Sequence, residues 1–428
     1  MGLLDEVEEG NPDIFEDESA LRHNTAPEDI IRREEEKKAI ASELINARYG
    51  EKPDNVFVFG PNGVGKTAVT TFVLREFEED DKTDIPIQTL RINCETVNRS
   101  YHLGAKLSNE LLGFNRYNID NPGVQKDAPW ETAFNAIEEH GGVTLLCLDE
   151  IGSIKDKDDA LYKMSRAYNY LDDAILGLVC ISTDASVLDT IGEDTSSSLS
   201  EVKVSFSRYD GNELHELLEH LADKAFHDGT VSDGATAKAA ALGAQAGGDA
   251  REALDLLRGA GRIAMRQQDE MVREEHVDIK KDEMDKNEVF EILTEKLKPN
   301  HRYSACALLA AQIELDIEYD ESEGTRDSKY PRTSEVYTVY QEIVSDPIGN
   351  RQFRSHLDTF DEVNLTDRIP NSPQGGGDNH ELKFETKDVY IALEDFIRDN
   401  IPNVSDQSSP LYYLTDPYRI PGYNPDEN

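Results

Sequence analysis

The sequence GPNGVGKT, at positions 60–67, decides the fold of this chain. It matches the pattern G-x-x-x-x-G-K-[ST], follows the apolar run NVFVFG (55–60) and precedes a helical pattern at 67–77. Glycines at these positions let backbone N–H groups turn inward around phosphate oxygens, and the positive end of the following helix points at them. Lys66 would place a cation on the β- and γ-phosphates, and the Thr67 hydroxyl would bind Mg²⁺. The pattern therefore predicts a site for ATP or ADP, made by Gly60, Pro61, Asn62, Gly63, Val64, Gly65, Lys66, Thr67 and Ala68.

A second motif favours this nucleotide site over a chance glycine turn. The run VTLLCLDE (143–150) indicates a buried strand that ends in two carboxylates, Asp149 and Glu150. Ligands of α/β sheets bind at the carboxyl ends of the strands, so these side chains would lie beside the phosphate loop. Asp149 would hold Mg²⁺, and Glu150 would orient or deprotonate the attacking water. A solvated strand end is the alternative, and the presence of the phosphate loop disfavours it.

Apolar strands alternate with helices through the first half of the chain. Besides the two strands above, the sequence predicts strands at 87–94, 176–183 and 201–206. Strands that are apolar throughout and alternate with helices indicate an α/β fold with a parallel sheet covered on both faces. From 210 to 277 the sequence predicts only helices, which are typical of a small lid: 212–227, 235–246, 250–267 and one that starts at 273.

The last third of the chain predicts a winged helix. Helices are expected at 285–298, 303–315, 333–344 and 350–360, and paired strands at 362–367 and 382–385, around the loop NSPQGGGDN. Helices followed by a glycine-rich hairpin are the outline of this variant of the helix-turn-helix. The recognition helix would be 350–359, whose donors for phosphates and base edges are Arg351, Gln352, Arg354, Ser355 and His356. The wing would be 371–380; because it lacks basic residues, a winged helix used for protein contacts is the alternative.

Acidic residues dominate the composition, with 87 Asp and Glu against 44 Lys and Arg and a formal charge of −43. The acid is spread over every segment, and the hydrophobic periodicity argues against disorder. At about 1 M salt the Debye length falls to about 3 Å, so self-repulsion is screened while the charge keeps the protein soluble. The composition therefore predicts a cytoplasm with molar salt, as in a halophilic archaeon. Overall basicity then cannot serve as a test for nucleic-acid binding.

The sequence offers neither a membrane span nor an export signal. No apolar stretch approaches the roughly 18 residues of a membrane span, and the acidic N-terminus lacks the order of a signal peptide. We therefore expect a cytoplasmic protein with no membrane partner. The four cysteines stand singly among apolar residues, which predicts buried thiols rather than a zinc site or a disulfide framework: Cys94, Cys147, Cys180 and Cys306.

An ordered set of short sequences resembles one protein family. They are PEDIIRREEE (27–36), RINC (91–94), LDEI (148–151), CISTD (180–184), SSSLSEVKVSF (196–206), RYDGNEL (208–214), GGDAREALDLLRGA (247–260) and SEVYTVYQEI (334–343). Together with the phosphate loop, they resemble the archaeal origin-recognition-complex and cell-division-control initiators. These are AAA+ ATPases that mark replication origins and help load the replicative helicase. The phosphate loop alone indicates only an NTPase; the ordered set indicates this family.

Periodicity and resemblance together predict five segments. They are an acidic flexible tail (1–20), an AAA+ nucleotide-binding core (21–207), a helical lid (208–284), a winged-helix DNA-binding domain (285–400) and a C-terminal tail (401–428). The resemblance also implies three kinds of partner: double-stranded origin DNA, a replicative helicase of the minichromosome-maintenance type, and paralogous initiator subunits.

Three further site residues are implied by the resemblance. Arg251 matches the lid arginine that reaches back to the γ-phosphate, a role that suits the fixed cation of an arginine at the start of a helix. Arg33 belongs to the stretch that packs near the adenine and closes the pocket. Thr183 stands where the family usually has an asparagine that senses the γ-phosphate.

One departure from the family concerns catalysis. The family carries an arginine that is offered to a neighbour's ATP, but the run VLDTIGEDTSSSL (187–199) contains no basic residue, and Asp194 stands about where the arginine would fall. Because such an arginine can be worth about 10³–10⁵ in rate, we expect slow hydrolysis, with ATP acting mainly as a switch.

The leading hypothesis is therefore an ATP-switched initiator or helicase loader that binds origin DNA. A signalling or stress NTPase with a C-terminal winged helix is one alternative, although it would not explain the RREEE and RINC sequences. The other alternative is a nucleotide-binding interaction protein that has lost catalysis and origin recognition, which Thr183, Asp194 and the weakly basic wing would favour.

Overall fold

The computed structural model describes residues 12–22, 30–117, 127–199, 201–321, 330–369, 378–401, 404 and 409–425. The chain divides into two compact units, Met1–Asp278 and Ile279–Asn428. The first unit contains a sheet covered by helices, and the second is built from helices and a hairpin.

The sheet of the first unit is formed by strands β1 Asn55–Phe59, β2 Ile87–Asn93, β3 Val143–Asp149, β4 Ile175–Ser182 and β5 Glu201–Ser205. The five strands are parallel and lie in the order β2-β3-β4-β1-β5. Each expected strand is present within one residue at either end, and the α/β fold class is confirmed. Strand β3 is buried along its whole length, because both faces of the sheet are covered.

Helices pack on the two faces of this sheet. They are α1 Glu34–Leu44, α2 Lys66–Glu78, α3 Ser100–Leu112, α4 Ala128–His140, α5 Lys157–Ser165 and α6 Glu193–Leu199. Successive side chains of β1 alternate between the two faces of the sheet. Val56 and Val58 pack with α1 and α2, whereas Phe57 packs with α3 and α4. This two-sided burial explains why the strand is apolar at every position.

The strand order brings the two nucleotide motifs together. Strand β4 lies between β3 and β1, so the carboxyl ends of these three strands are neighbours. Strand β1 leads into the phosphate loop, β3 ends at Asp149, and β4 ends at Ser182. The phosphate loop and the acidic strand end therefore meet at one edge of the sheet, where ligands of such sheets bind.

The helical segment that was expected as a lid follows the sheet. Its helices are α7 Gly211–Ala225, α8 Asp233–Gln245, α9 Ala250–Gln267 and α10 Glu274–Glu291. The first three agree with the expectation within two residues, whereas α10 continues to Glu291 and includes the start of the helix that was expected separately at 285–298. Helix α7 starts with a capping box, in which Asp210 accepts from the Glu213 backbone N–H and Glu213 accepts from the Asp210 N–H.

Residues 12–22 form an N-terminal strap on the lid, so the expectation of a flexible tail through residue 20 was wrong for the part that is described. Phe15 pairs with Phe226 in an antiparallel bridge, and their ring centroids are 4.8 Å apart. The His227 N–H donates to the Ile14 carbonyl at 3.1 Å. Ile14 and Leu21 are fully buried. The acidic composition of this stretch hides a few apolar residues that are buried against the lid.

The second unit has the element order of a winged helix. Its elements are α11 Pro299–Glu321, α12 Thr333–Ile343, α13 Asn350–Glu362, β6 Thr366–Ile369, β7 Asn379–Leu382, α14 Thr386–Asn400 and α15 Leu411–Thr415. Strands β6 and β7 form an antiparallel hairpin after α13. Most of the expected wing tip, residues 370–377, lies outside the described residues.

The hairpin and the end of the chain differ from the expectation. The strands were placed at 362–367 and 382–385, but α13 continues to Glu362 and the backbone turns at Asn364, which has a φ of 69°. Helix α14 was missed, although its buried residues recur at helical spacing: Val389, Tyr390, Leu393 and Ile397. Beyond it, Leu411, Leu414 and Ile420 are buried in the core of this unit, so the described part of the C-terminal tail wraps around it.

Two compositional expectations can be compared with the structure. All four cysteines are buried, as predicted. Among the described helices, none combines the length and the apolar composition needed to cross a membrane.

Candidate functional site

The phosphate loop folds around the Lys66 side chain. Gly63 and Gly65 have φ angles of +70° and +89°, a conformation that residues with a Cβ rarely adopt. Lys66 begins α2 and is only 6% exposed. Its Nζ donates to the carbonyl oxygens of Gly60 at 2.7 Å and Pro61 at 2.6 Å. The loop therefore presents a buried ammonium at the start of a helix, an arrangement that suits an anion.

Burial and the neighbouring carboxylates shift the pKa of the Lys66 ammonium in opposite directions. Burial lowers the pKa of the Lys66 ammonium, whereas the nearby carboxylate of Glu150 raises it and Arg251 lowers it. Since desolvation disfavours the charged form, a phosphate beside Nζ would supply the counter-charge that favours it.

Thr67 and Asp149 form an oxygen-rich pair suited to Mg²⁺. The Thr67 hydroxyl donates to Asp149 Oδ2 at 3.0 Å, and Asp149 is 5% exposed. Hydroxyl and carboxylate oxygens are the ligands that Mg²⁺ prefers, usually together with water and substrate phosphates. Arg91, on the neighbouring strand β2, lies with its Nε 3.7 Å from Asp149 Oδ2. The sequence reasoning used Arg91 only as part of the RINC sequence and missed its pairing with Asp149.

Glu150 occupies a strained position next to this pair. Its φ is +54°, which is uncommon for a residue with a side chain. Burial raises the pKa of its carboxyl group, and the adjacent Asp149 carboxylate raises it further. A carboxylate with a raised pKa is a better proton acceptor, and strained backbone of this kind recurs at functional sites.

The lid contacts the phosphate loop directly. The Ala250 N–H donates to the Gly63 carbonyl at 3.0 Å. Asp249 caps α9 by accepting from the Arg251 N–H at 2.8 Å, and its carboxylate lies so close to Gly63 that a Cβ there would collide with it. Arg251 lines the same cavity as the loop. The first turn of α9 therefore places a cation in the cavity lining beside the loop, and the contact with the γ-phosphate that the resemblance implies for Arg251 stays a prediction.

Apolar residues also line the cavity, and the lid supplies several of them. Its lining includes Ile30, Ile31, Tyr209, Leu217, His220, Leu221 and Leu254. Ala20 and Arg22 of the N-terminal strap line it as well. A lining that combines cationic and apolar residues suits a molecule that carries phosphates and a flat base. The contribution of the strap was missed, because residues 1–20 were taken for a tail.

Arg33 supports the cavity wall from outside, as far as the described residues show. Its guanidinium stacks on the Tyr209 ring, 3.9 Å from the centroid, and Tyr209 lines the cavity. It also donates to the Ser207 carbonyl at 2.7 Å and to Glu36 at 2.9 Å. Arg33 is not among the described residues that line the cavity and reaches its wall through Tyr209.

Neither Thr183 nor Asp194 is among the described residues that line the cavity. Thr183 follows β4 directly and is exposed. Asp194 is exposed on α6.

In the second unit, α13 presents polar side chains on one face. Arg351, Gln352, Arg354 and Ser355 are exposed, as a recognition helix requires. His356, which was also expected as a donor, is instead buried. Its Nδ1 lies 2.9 Å from Ser304 Oγ, and its ring centroid is 4.1 Å from that of His301. Burial, with the nearby His301, lowers the pKa of His356 to about 4.

The chain matches known proteins over most of its length. A family model described as the Cdc6 AAA+ ATPase-type lid domain matches residues 215–281. The chain is 33% identical over 399 residues to ORC1-type DNA replication protein 2 of Haloarcula marismortui, which covers 90% of this chain and 92% of that protein. It is 32% identical over 395 residues to ORC1-type DNA replication protein 1 of Archaeoglobus fulgidus, with the same two coverages of 90% and 92%.

Solved structures share the fold. The Aeropyrum pernix ORC1 protein, solved in complex with DNA, is similar at a TM-score of 0.66 and 26% identity over 90% of this chain and 97% of that chain. The Aeropyrum pernix ORC2 protein, solved with ADPNP and ADP, has a TM-score of 0.59 and 17% identity over 90% and 99% of the two chains. The second likeness supports the fold alone.

Proposed function

This chain belongs to the ORC1-type DNA replication proteins of archaea, and we propose that it acts as an ATP-switched initiator that binds duplex DNA at a replication origin. Its relatives carry a role in DNA replication in their names. The Aeropyrum pernix relative was solved on DNA. Recognition of an origin, help in loading a minichromosome-maintenance-type helicase, and association with paralogous subunits are parts of this proposal.

The nucleotide cavity carries the proposal. Lys66, Thr67 and Arg251 line it together with apolar residues, and Asp149 is hydrogen-bonded to Thr67. We assign ATP or ADP to this cavity, with the loop 60–68 on the phosphates. Mg²⁺, held by Thr67 and Asp149, would neutralise charge on the β- and γ-phosphates.

Slow hydrolysis is assigned to Glu150. Its carboxylate lies next to Asp149 and takes a raised pKa from burial, which suits a group that orients and deprotonates water. Thr183 is proposed as the weaker counterpart of the usual γ-phosphate sensor. With Asp194 in place of the arginine that would serve a neighbour, turnover stays low and nucleotide occupancy acts as the signal.

The lid gives this signal a physical route. Because Ala250 is hydrogen-bonded to Gly63 and Arg251 lines the cavity, a change at the phosphates changes the contacts that hold the lid. The N-terminal strap is hydrogen-bonded to the lid, so it would follow the same movement. Tyr209, held by Arg33, lies at the junction of sheet and lid.

DNA binding is assigned to the exposed face of α13. Arg351 and Arg354 are three residues apart and therefore neighbours on this face. Arginine can bind phosphates or guanine edges in a bidentate manner. In molar salt the release of counterions drives little binding, so contacts to bases and to DNA shape would have to carry more of the affinity.

Binding to defined DNA tests this function. We expect the full chain with ATP, in about 3 M KCl to screen its charge, to prefer duplexes from the region that flanks its own gene over a mixed-sequence duplex of equal length. Fluorescence anisotropy measures both affinities. Equal affinity for the two duplexes, or no binding to either, would favour the alternative of a nucleotide-binding interaction protein. The exposed Thr183 and Asp194 also favour that alternative.

A further inference from the structure

A half-exposed cluster of charges lies in the second unit, where the hairpin strands meet the loop that connects them. Arg368, on β6, donates from Nε to Asp378 Oδ2 at 2.6 Å and from Nη1 to Asp358 Oδ1 at 3.2 Å. Nη2 of Arg368 also pairs with Asp378. Asp358 belongs to α13, and Asp378 directly precedes β7. The guanidinium is thus shared between the expected recognition helix and the hairpin.

The same residues line a cleft. Arg354, Asp358, Arg368, Asp378 and His380 all face it. The wall behind them is firm, because His380 is 3% exposed and its Nε2 lies 3.0 Å from Thr333 Oγ1. Two arginines therefore converge on a preformed cleft beside the exposed face of α13.

The fork of Arg368 already holds an oxyanion. Two nitrogens of its guanidinium, Nε and Nη2, meet the same carboxylate oxygen, Oδ2 of Asp378, and a phosphate oxygen could accept from the same two groups. The Arg368 side chain is 53% exposed, and that of Asp358 is 53% exposed. A ligand can thus reach these groups from solvent. The two arginines and the two aspartates of the cleft together carry no net charge. An anion therefore binds an arginine favourably only after a carboxylate has moved away from it.

We propose that this cleft is a phosphate site for the backbone of duplex DNA, in which Arg354 and Arg368 bind one phosphate and Asp358 and Asp378 hold Arg368 until that phosphate replaces them. We call this arrangement the acid lock. It rests on the proposed function, because it supplies a further DNA contact on the same winged helix. The intramolecular carboxylates compete with DNA, so non-specific binding is weakened more than binding at a site where other contacts hold the duplex in place.

The acid lock has a consequence for the dependence on salt. Exposed ion pairs weaken as salt screens them, and so does the repulsion between the two carboxylates and the DNA backbone. Each phosphate contact normally steepens the fall of affinity with salt by a slope of about 0.9. The acid lock offsets this fall, because salt loosens the competitor as well as the contact.

The test uses the full chain and a labelled mixed-sequence duplex, with anisotropy measured between about 0.5 and 3 M KCl. We expect the double variant Asp358→Asn and Asp378→Asn to bind this duplex roughly tenfold more tightly at the low end and to show a slope steeper by about one. Asp416→Asn is the matched control, since it removes one carboxylate from an Arg419 pair at 3.0 Å in the same unit. It should change affinity by less than about twofold.

A second arm separates the acid lock from a general loss of negative charge. In a chain that also carries Arg368→Gln, the two Asp→Asn changes should raise the affinity for the duplex by no more than the control does, because no guanidinium is left to release. The acid lock is overturned if the gain in DNA affinity persists in the Arg368→Gln chain, or if the gain without Arg368→Gln only equals that of the control. Either result leaves the proposed function in place. Failure of the wild-type chain to bind any duplex at any salt concentration overturns both. Circular dichroism of each variant verifies the fold.

Discussion

The two units hold their functional charges in opposite ways. In the first unit, Lys66 and Asp149 are 6% and 5% exposed, and the backbone around them fixes their positions. In the second unit, Arg351 and Arg354 are exposed, and Arg368 is held by carboxylates that could exchange for a ligand. Burial makes an interaction strong and indifferent to salt, whereas exposure makes it weak and dependent on salt.

This difference indicates what each unit could do in the molar salt that the acidic composition predicts. A buried site keeps its affinity for a small anionic ligand, because little salt reaches it. An exposed site loses much of its non-specific attraction for a polyanion. The first unit is therefore suited to bind nucleotide even in molar salt, and under our proposal the second unit discriminates between DNA sequences.

The largest effect is expected at the buried site of the first unit. Glu150→Gln should reduce ATP hydrolysis by about 10²–10⁴-fold, the usual contribution of a general base, while ATP affinity changes little. Phosphate release under excess ATP measures the first quantity, and equilibrium titration the second. Glu79→Gln, an exposed carboxylate just after α2, is the control. Rapid multiple turnover by Glu150→Gln would mean that another group activates the water.

Next in size is the contribution of the N-terminal strap to the first unit. Leu21→Ala should lower the free energy of unfolding by about 2–4 kcal/mol, because Leu21 is fully buried. Ile45→Ala, at a residue that is 39% exposed, should cost less than about 1 kcal/mol. The single tryptophan, Trp130, is buried in this unit and reports its unfolding by fluorescence. An equal loss of unfolding free energy in the two variants would favour a flexible N-terminal tail over a packed strap.

A smaller effect, confined to the second unit, is expected from pH. His356 has a pKa lowered to about 4 by burial and by His301, while an unfolded histidine has a pKa of about 6.5. Between these values the unfolded chain binds a proton that the folded chain does not, so stability is full above about pH 6.5 and falls towards pH 4.

His356→Gln isolates this contribution from the many carboxylates that titrate in the same range. The difference in unfolding free energy between wild type and variant, followed by circular dichroism, should shrink as the pH falls from about 6.5 to 4. A difference that is constant over this range would mean that His356 is not held neutral by the fold.

The smallest effect is expected at the surface of the first unit. Asp194→Ala should change ATP hydrolysis by less than about twofold, as for an ordinary exposed residue. A large loss in the same phosphate-release assay would show that Asp194 takes part in the reaction and that the missing arginine was misjudged.

The sequence predicted the parts of the molecule in which local spacing fixes the outcome. The phosphate loop and the five strands of the sheet follow from short patterns, because glycine positions and two-sided burial leave few alternatives. The exposed face of α13 followed from the helical spacing of Phe353, Leu357 and Phe360, which are buried.

The sequence did not predict the features that depend on distant partners. The strap is buried by the lid, more than two hundred residues away, as the hydrogen bond between Thr230 and Ile14 illustrates with a separation of 216 residues. Arg91 meets Asp149 only because β2 and β3 pair in register. His356 looked like a donor until α11 placed Ser304 and His301 against it.

The division of labour between the two units is tested most directly by measuring two ligands on two variants. Lys66→Ala and the double variant Arg351→Ala and Arg354→Ala are titrated without other nucleotide, in about 3 M KCl, with a fluorescent ATP analogue and with a duplex from the region that flanks the gene. The account predicts that Lys66→Ala loses at least about 100-fold in ATP affinity, about 2.7 kcal/mol, and keeps its DNA affinity. The double variant should lose about 1–3 kcal/mol per base contact in DNA binding and keep its ATP affinity. Loss of both ligands in either variant, or unchanged binding of both ligands in both variants, would contradict it.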